Sequence, residues 1–179
     1  MAEYQTFIIN KMNDDVNSDF RIDATTYLNI TTQTYLTELA GWDDTDITNI
    51  TTNTNILGAG SFPTSTQIKE RVITVSLDFY DNTGDFNVYN NLKNIKSWQV
   101  AFTPMQLTFR KHTVKPDTSS QSNFQNSASV YKEIINNALI QSTTWVQLDD
   151  HASMDIVLLC PSPLKTVYVN DSQQSGSYL

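Results

Sequence analysis

Any imidazole-based catalysis or metal binding in this chain must use His112 or His151, the only two histidines it has. His151 follows Asp149 and Asp150, neighbours that could orient a ring nitrogen as a general base. No partner nucleophile is in evidence, because the sequence has neither a G-x-S-x-G elbow nor an H-E-x-x-H zinc pair. Two acids and a histidine in a polar turn is the better reading of 149–151. Cys160 lies between Leu159 and Pro161 at the end of an apolar run, with no basic neighbour to lower its pKa. It reads as a buried, inert thiol. Asp43-Asp44-Thr45-Asp46 offers oxygen ligands for calcium but lacks the glycine and closing glutamate of a calcium loop, so solvated loop acids are expected. Gly58-Ala59-Gly60 has no third glycine, no following Lys-Ser/Thr and no helix behind it, which excludes a phosphate cradle. The sequence thus assigns no catalytic residue, no cofactor or cofactor-binding residue and no metal ligand.

The tryptophans offer a second kind of chemistry, stacking on sugars. Trp98 ends an apolar helical stripe and Trp145 opens an apolar strand, so the core is the better reading for both. Trp42, with acids at 43, 44 and 46, is equally a core residue or a half-exposed platform. The sequons at Asn29, Asn49 and Asn170 are what chance yields in a chain so rich in Asn and Thr.

The elements that would position these residues are mostly strands. Phe7-Ile8-Ile9 marks a first strand, followed by a loop or arm. Gly41 suggests a turn or a short helix end, and Gly58, Gly60 and Pro63 make 58–67 a loop. In 71–80, Ile73, Val75, Leu77 and Phe79 alternate with Thr74, Ser76 and Asp78, the period of a half-buried strand. Asp81-Asn82-Thr83-Gly84 is a turn and Asp85 a cap for a helix over 86–97, where Phe86, Val88, Tyr89, Leu92 and Ile95 recur at helical spacing. Met105, Leu107 and Phe109 alternate in a further strand. The polar stretch 113–127 is a loop, and Val130, Tyr131, Ile134, Ile135, Ala138 and Leu139 suggest a second helix over 129–140. Strands at 145–148, 154–160 and 167–169 complete the outline. The expectation is a mainly β fold with helices (α+β), a β-sandwich with one or two helices and extended arms.

Composition fits that outline. Among 179 residues, 39% are hydrophobic and 11% aromatic, enough to fold without a staple. Ser, Thr, Asn and Gln exceed a third of the chain, while only 17% is charged. Thr, Tyr and Phe favour strands, and Asn and Ser favour turns. A net charge of -8 with 11 basic residues argues against nucleic acid or an anionic membrane as partner. The single cysteine excludes an internal disulfide and suits synthesis in a reducing cytoplasm. No apolar run approaches the ~20 residues of a membrane span, and the first residues carry no secretory signal pattern.

From Tyr35 to Phe109 the order of motifs resembles the N-terminal domain of siphophage distal tail (Dit) proteins. Tyr35-Leu36-Thr37-Glu38-Leu39-Ala40-Gly41-Trp42 is similar to that family's opening, and Gly58-Ala59-Gly60 to its glycine loop. Arg71 then leads the alternating strand, followed by the helix 86–97 and Met105-Gln106-Leu107-Thr108-Phe109. The run 155–163, ending Cys160-Pro161-Ser162-Pro163, is similar to the family's late strands, so the likeness covers roughly 35–165. It implies a domain over 27–169; the chain departs from the family in a longer N-terminal strand and arm over 1–26 and in a loop and helix inserted at 113–142, and 170–179 is a flexible tail or the start of a second domain. It further implies a non-enzymatic virion protein of the tail tip or baseplate, forming a homohexameric ring. The ring would join the tail tube protein to the tail-associated hub or fibre proteins, with DNA passing unread through its lumen and no membrane contact. A tail tube subunit and a carbohydrate-binding β-sandwich built on Trp42 are the alternatives.

Overall fold

Alternation dominates the chain, and a strand over 71–80 forms as expected, as the end of a longer one. The computed structural model describes residues 3–12, 21–27, 36–56, 60–80, 87–149, 151–161 and 165–174. In chain order the elements are β1 (Tyr4–Lys11), β2 (Ile22–Thr25), β3 (Leu36–Ile56), β4 (Gly60–Tyr80), α1 (Asn87–Val100), β5 (Met105–His112), α2 (Gln121–Gln125), β6 (Tyr131–Gln147), β7 (His151–Cys160), β8 (Thr166–Val169) and β9 (Ser172–Gln173). The expected strand at Phe7-Ile8-Ile9 is β1, and the expected helix is α1. The turn and cap at 81–85, together with Tyr35, Phe86 and Pro163, lie outside the described residues.

The strands form one nine-stranded sheet in the order β5-β1-β2-β3-β4-β7-β6-β8-β9, and an extra ladder joins β5 to β6. That ladder, from Met105↔Ala138 to Lys111↔Tyr131, returns the sheet to its starting strand and closes it into a barrel. Most pairs are antiparallel; β2 and β3 run parallel. The class is therefore mainly β with two short helices, and the two layers of the expected sandwich are opposite walls of one closed sheet. Phe7, Ile9, Ile73, Val75, Leu77, Leu107, Ile156 and Leu158 fill the interior, and Ile95 and Trp98 of α1 belong to the same core. Burial of each such side chain contributes roughly 1.5–3 kcal/mol.

Three expectations about elements are corrected. The second helix over 129–140 is instead the strand β6. Its helix-like spacing has a cause: the ladder to β5 shifts register between Met105 and Leu107, a bulge on β6 that turns both Ile135 and Ala138 inward, three residues apart. Asn137 within that bulge takes a left-handed φ of 59°. The loop over 58–67 is strand from Gly60 onward, where β4 pairs with β3 as far as Ile56↔Gly60. Pro63 is compatible with that strand because this part of the hairpin has an open edge that needs no donor. Gly41 marks neither a turn nor a helix end; it lies inside β3 at a register shift.

Among the described residues, no helix is long and apolar enough to cross a membrane. Leu77 is fully buried at the middle of the β4 core row. Leu77→Ala is expected to cost about 2–5 kcal/mol, seen as a lower urea midpoint with an unchanged slope.

Candidate functional site

Charges, not apolar residues, occupy one end of the barrel interior. Arg71 shares the inward row of β4 with Ile73 and Val75 and is 1% exposed. Its Nη1 donates to both carboxylate oxygens of Asp44 at 2.7 Å and pairs with Asp46 at 2.9 Å. Lys165, just before β8, also pairs with Asp44 and donates to Glu133 at 2.8 Å. The Tyr131 hydroxyl donates to the same Glu133 oxygen at 2.8 Å. Burial and the adjacent Glu133 carboxylate push the Tyr131 phenol well above its ordinary range. The cluster ties β3, β4, β6 and the approach to β8 together. Each charge has an opposite partner, and removing one would strand the others in a low dielectric.

A second network lies on the outside of β1, β2 and β5, under the segment 113–130. Arg110 is 2% exposed, and its guanidinium donates to the carbonyls of Phe124 and Gln125 at 2.8 Å. These carbonyls lie at the end of α2, where cations are favoured. Arg110 Nε donates to Thr6 Oγ1 at 3.0 Å. His112 Nδ1 meets the Ala128 carbonyl at 2.8 Å and so must donate; Nε2, 2.9 Å from Thr6 Oγ1, then accepts from that hydroxyl. Arg21 pairs with buried Asp23 at 3.0 Å and donates to the Gln121 carbonyl at 2.6 Å. Phe124 packs with Ile8 and Leu36 to complete the seal. Burial pushes the Asp23 carboxyl up to about 6, outweighing Arg21 and Arg110, and lowers Arg110 to about 10. Burial, with Arg110 adding repulsion, holds the His112 imidazole below its usual value.

The structure scatters the residues that sequence reading weighed for chemistry. His112 is a buried neutral link in the outer network, whereas His151 stacks on Tyr80 with ring centroids 4.8 Å apart. Asp149 is exposed, and Asp150 lies outside the described residues. Cys160 is buried as expected, its thiol pushed up to about 12 by burial. Asp43, Asp44 and Asp46 lie on β3 and not on a loop; Asp43 and Asp46 are exposed, Asp44 is half-buried, and Asp44 and Asp46 turn toward Arg71. Trp42 falls between the two readings: it is half-buried against the core, stacked on Phe109 at 4.7 Å and tilted against Phe7 at 5.3 Å. Trp98 is buried as expected, but Trp145 is 47% exposed, because β6 there runs into the hairpin with β7 beyond the packed interior. Among the described residues no group of three or more His, Cys, Asp or Glu could hold a metal.

Sequence reasoning missed both charge networks. The signal for Arg71 was present, since it has the same parity as Ile73 and Val75. For Arg110, alternation points outward, and only the covering segment makes it buried.

Two surface features remain. Beyond Arg71↔Cys160, the last rung shared with β7, the ladder of β3 with β4 continues as a two-stranded hairpin within 47–69. On the outer wall of β1, β5 and β6, a cleft of ≈ 210 Å3 is lined by Arg21, Arg110 and Lys132 with no carboxylate.

No protein-family model matches the chain, and no curated protein matches it. Solved structures are similar in outline. The Hcp1 protein from the E. coli EAEC 042 pathovar covers 98% of this chain and 99% of its own at 9% identity and TM-score 0.49. A sheath–tube complex of an extracellular contractile injection system, PVC, covers 91% and 88% at 13% identity and TM-score 0.43. The anti-feeding prophage baseplate, 6-fold symmetrised, covers 92% of each chain at 6% identity and TM-score 0.46.

Asp23 and His112 give the outer network opposing pH responses. With its folded pKa raised, Asp23 contributes stability below its unfolded pKa that is lost as pH rises through about 6. With its folded pKa lowered, His112 contributes stability above its unfolded pKa of 6.5 that is lost as pH falls. The melting temperature at pH 5 relative to pH 7 should therefore rise in His112→Gln and fall in Asp23→Asn, compared with the parent chain.

Proposed function

We propose that the chain is a structural subunit of a phage-tail-like tube, assembling with copies of itself into rings that stack and enclose a passage for DNA. The carrying observation is the hairpin 47–69. Its rungs run from Thr48↔Ile68 to Ile56↔Gly60, and among the described residues neither outer edge has a strand partner. An open, uncharged ladder of this length invites pairing with another chain, and monomeric proteins usually protect such edges. Here the sequence offers Thr and Asn throughout and a single charge, Lys69, so a neighbouring subunit is the natural cover.

The rest of the molecule supports an assembly role. The barrel interior is filled by side chains, and its charges are matched internally. Trp42 is half-buried and engages Phe109 with one ring face, which leaves less of it for the platform that a sugar-binding reading requires. A sheath–tube complex and a six-fold baseplate stand among the structures the chain resembles; the proposal is of that kind but rests on the hairpin. The tail-tip ring between tube and hub or fibre proteins is the second reading, and both place the protein in a virion or injection particle made in a host cytoplasm.

Light scattering on the full chain should give a mass several-fold above 20.3 kDa. Long filaments in electron micrographs support the tube, and single rings support the tip. Replacing 47–69 by a short Asn-Gly turn should give a folded monomer. A parent chain that stays monomeric at high concentration overturns the proposal.

A further inference from the structure

Opposite walls of the barrel carry opposite charge, although the chain as a whole is acidic. On β3, β4 and β7 the outward rows hold Glu38, Asp43, Asp78 and Asp155. This follows from the register, which places Glu38 beside Asp78 and Asp43 beside Thr74 while Leu77 and Val75 face inward. No Lys or Arg shares those outward rows among the described residues of 36–46, 71–80 and 151–160. The carboxylates are held in place: Ser76 donates to Asp155 and Ser153 to Asp78, each at 2.6 Å, across the β4–β7 ladder. Each carboxylate keeps lone pairs for a further donor.

The other wall, β1, β5 and β6, follows the reverse pattern. One outward rung reads Thr6, Arg110, Lys132, and the cleft beside it adds Arg21. Asp23 on this side is buried against Arg21, the exposed Asp117 belongs to the covering segment, and the outward positions of β5 and β6 in this ladder carry no acid. Lys132 is the half-exposed cation of the group, with its ammonium 4.3 Å from the Tyr168 ring centroid. Arg21 and Arg110 add a fixed positive field from beneath the surface, where screening is weak. The ≈ 210 Å3 cleft has room for a carboxylate side chain.

We propose that the acidic wall formed by β3, β4 and β7 docks onto the basic wall of β1, β5 and β6 of a second copy, with Asp155 and Lys132 at the contact. The proposal rests on the self-assembly proposed above and specifies which faces meet. Neither wall complements itself, so a two-fold dimer through either one would oppose like charges. A head-to-tail contact satisfies both, and such contacts repeat into rings when the rotation closes. Complementary potentials of this kind fix register and exclude wrong partners.

The test uses two reversals in the full chain, Lys132→Glu and Asp155→Lys, with light scattering as the readout and circular dichroism confirming the fold. Each variant alone should associate more weakly, by roughly tenfold or more in concentration at half-assembly. The doubly reversed chain should assemble again. An equimolar mixture of the two single variants should also recover the parent mass, because alternating copies restore a matched pair at every contact. A merely structural role for either side chain would not produce rescue by mixing. If the parent chain assembles and both variants assemble equally well, this docking is wrong while self-assembly stands. A monomeric parent chain overturns both.

Discussion

Closure of the sheet through the β5–β6 ladder is the constraint on which the rest depends. It supplies partners to the backbone groups of β5, which would otherwise end the sheet, and to the facing side of β6, and it creates an interior filled by side chains. Phe7, Phe109 and the aliphatic rows fill that interior, and Trp42 packs against them. Beyond Arg71↔Cys160 the β3–β4 ladder runs on past the barrel, and among the described residues neither of its outer edges has a strand partner.

The buried charges follow from the same geometry. A closed barrel must end somewhere, and at one end the inward row continues from Val75 and Ile73 to Arg71. Asp44, Asp46, Glu133 and Lys165 meet it there, so polar groups plug the interior instead of leaving a gap. Such clusters add little net stability over an apolar plug, because desolvation offsets most of the attraction. They do fix register: a slip of β3 against β4 by one residue would turn Asp44 outward and leave Arg71 buried alone. Outside, Arg110 performs a comparable task by gripping the carbonyls at the end of α2 and holding 113–130 onto the sheet.

Much of this fold was legible in the residues. Strict alternation in 71–80 and 105–109, and the helical stripe ending at Trp98, identified their elements because one face of each is buried. The reading failed where local pattern and tertiary demand diverge. A bulge in β6 placed Ile135 and Ala138 three residues apart on the core face, which imitates a helix turn. The Thr- and Asn-rich stretch after Gly60 reads as a loop because its composition shows no core face, yet its backbone pairs with β3. Trp145 has the composition of a core residue but lies where β6 outruns the interior. For the site, sequence spacing showed that the histidines and acids lack the partners that chemistry needs. It could not show that Asp44 and Asp46 face Arg71, since that depends on a register set by pairing distant in sequence.

Native-state hydrogen exchange on the β5–β6 ladder tests the closed barrel most directly. If the ladder closes the sheet, its amides exchange as slowly as those of the β4–β7 ladder, through global unfolding alone. Exchange of the β5–β6 amides as fast as that of the hairpin 47–69, with β4–β7 still protected, would mean an open sheet and would contradict the account.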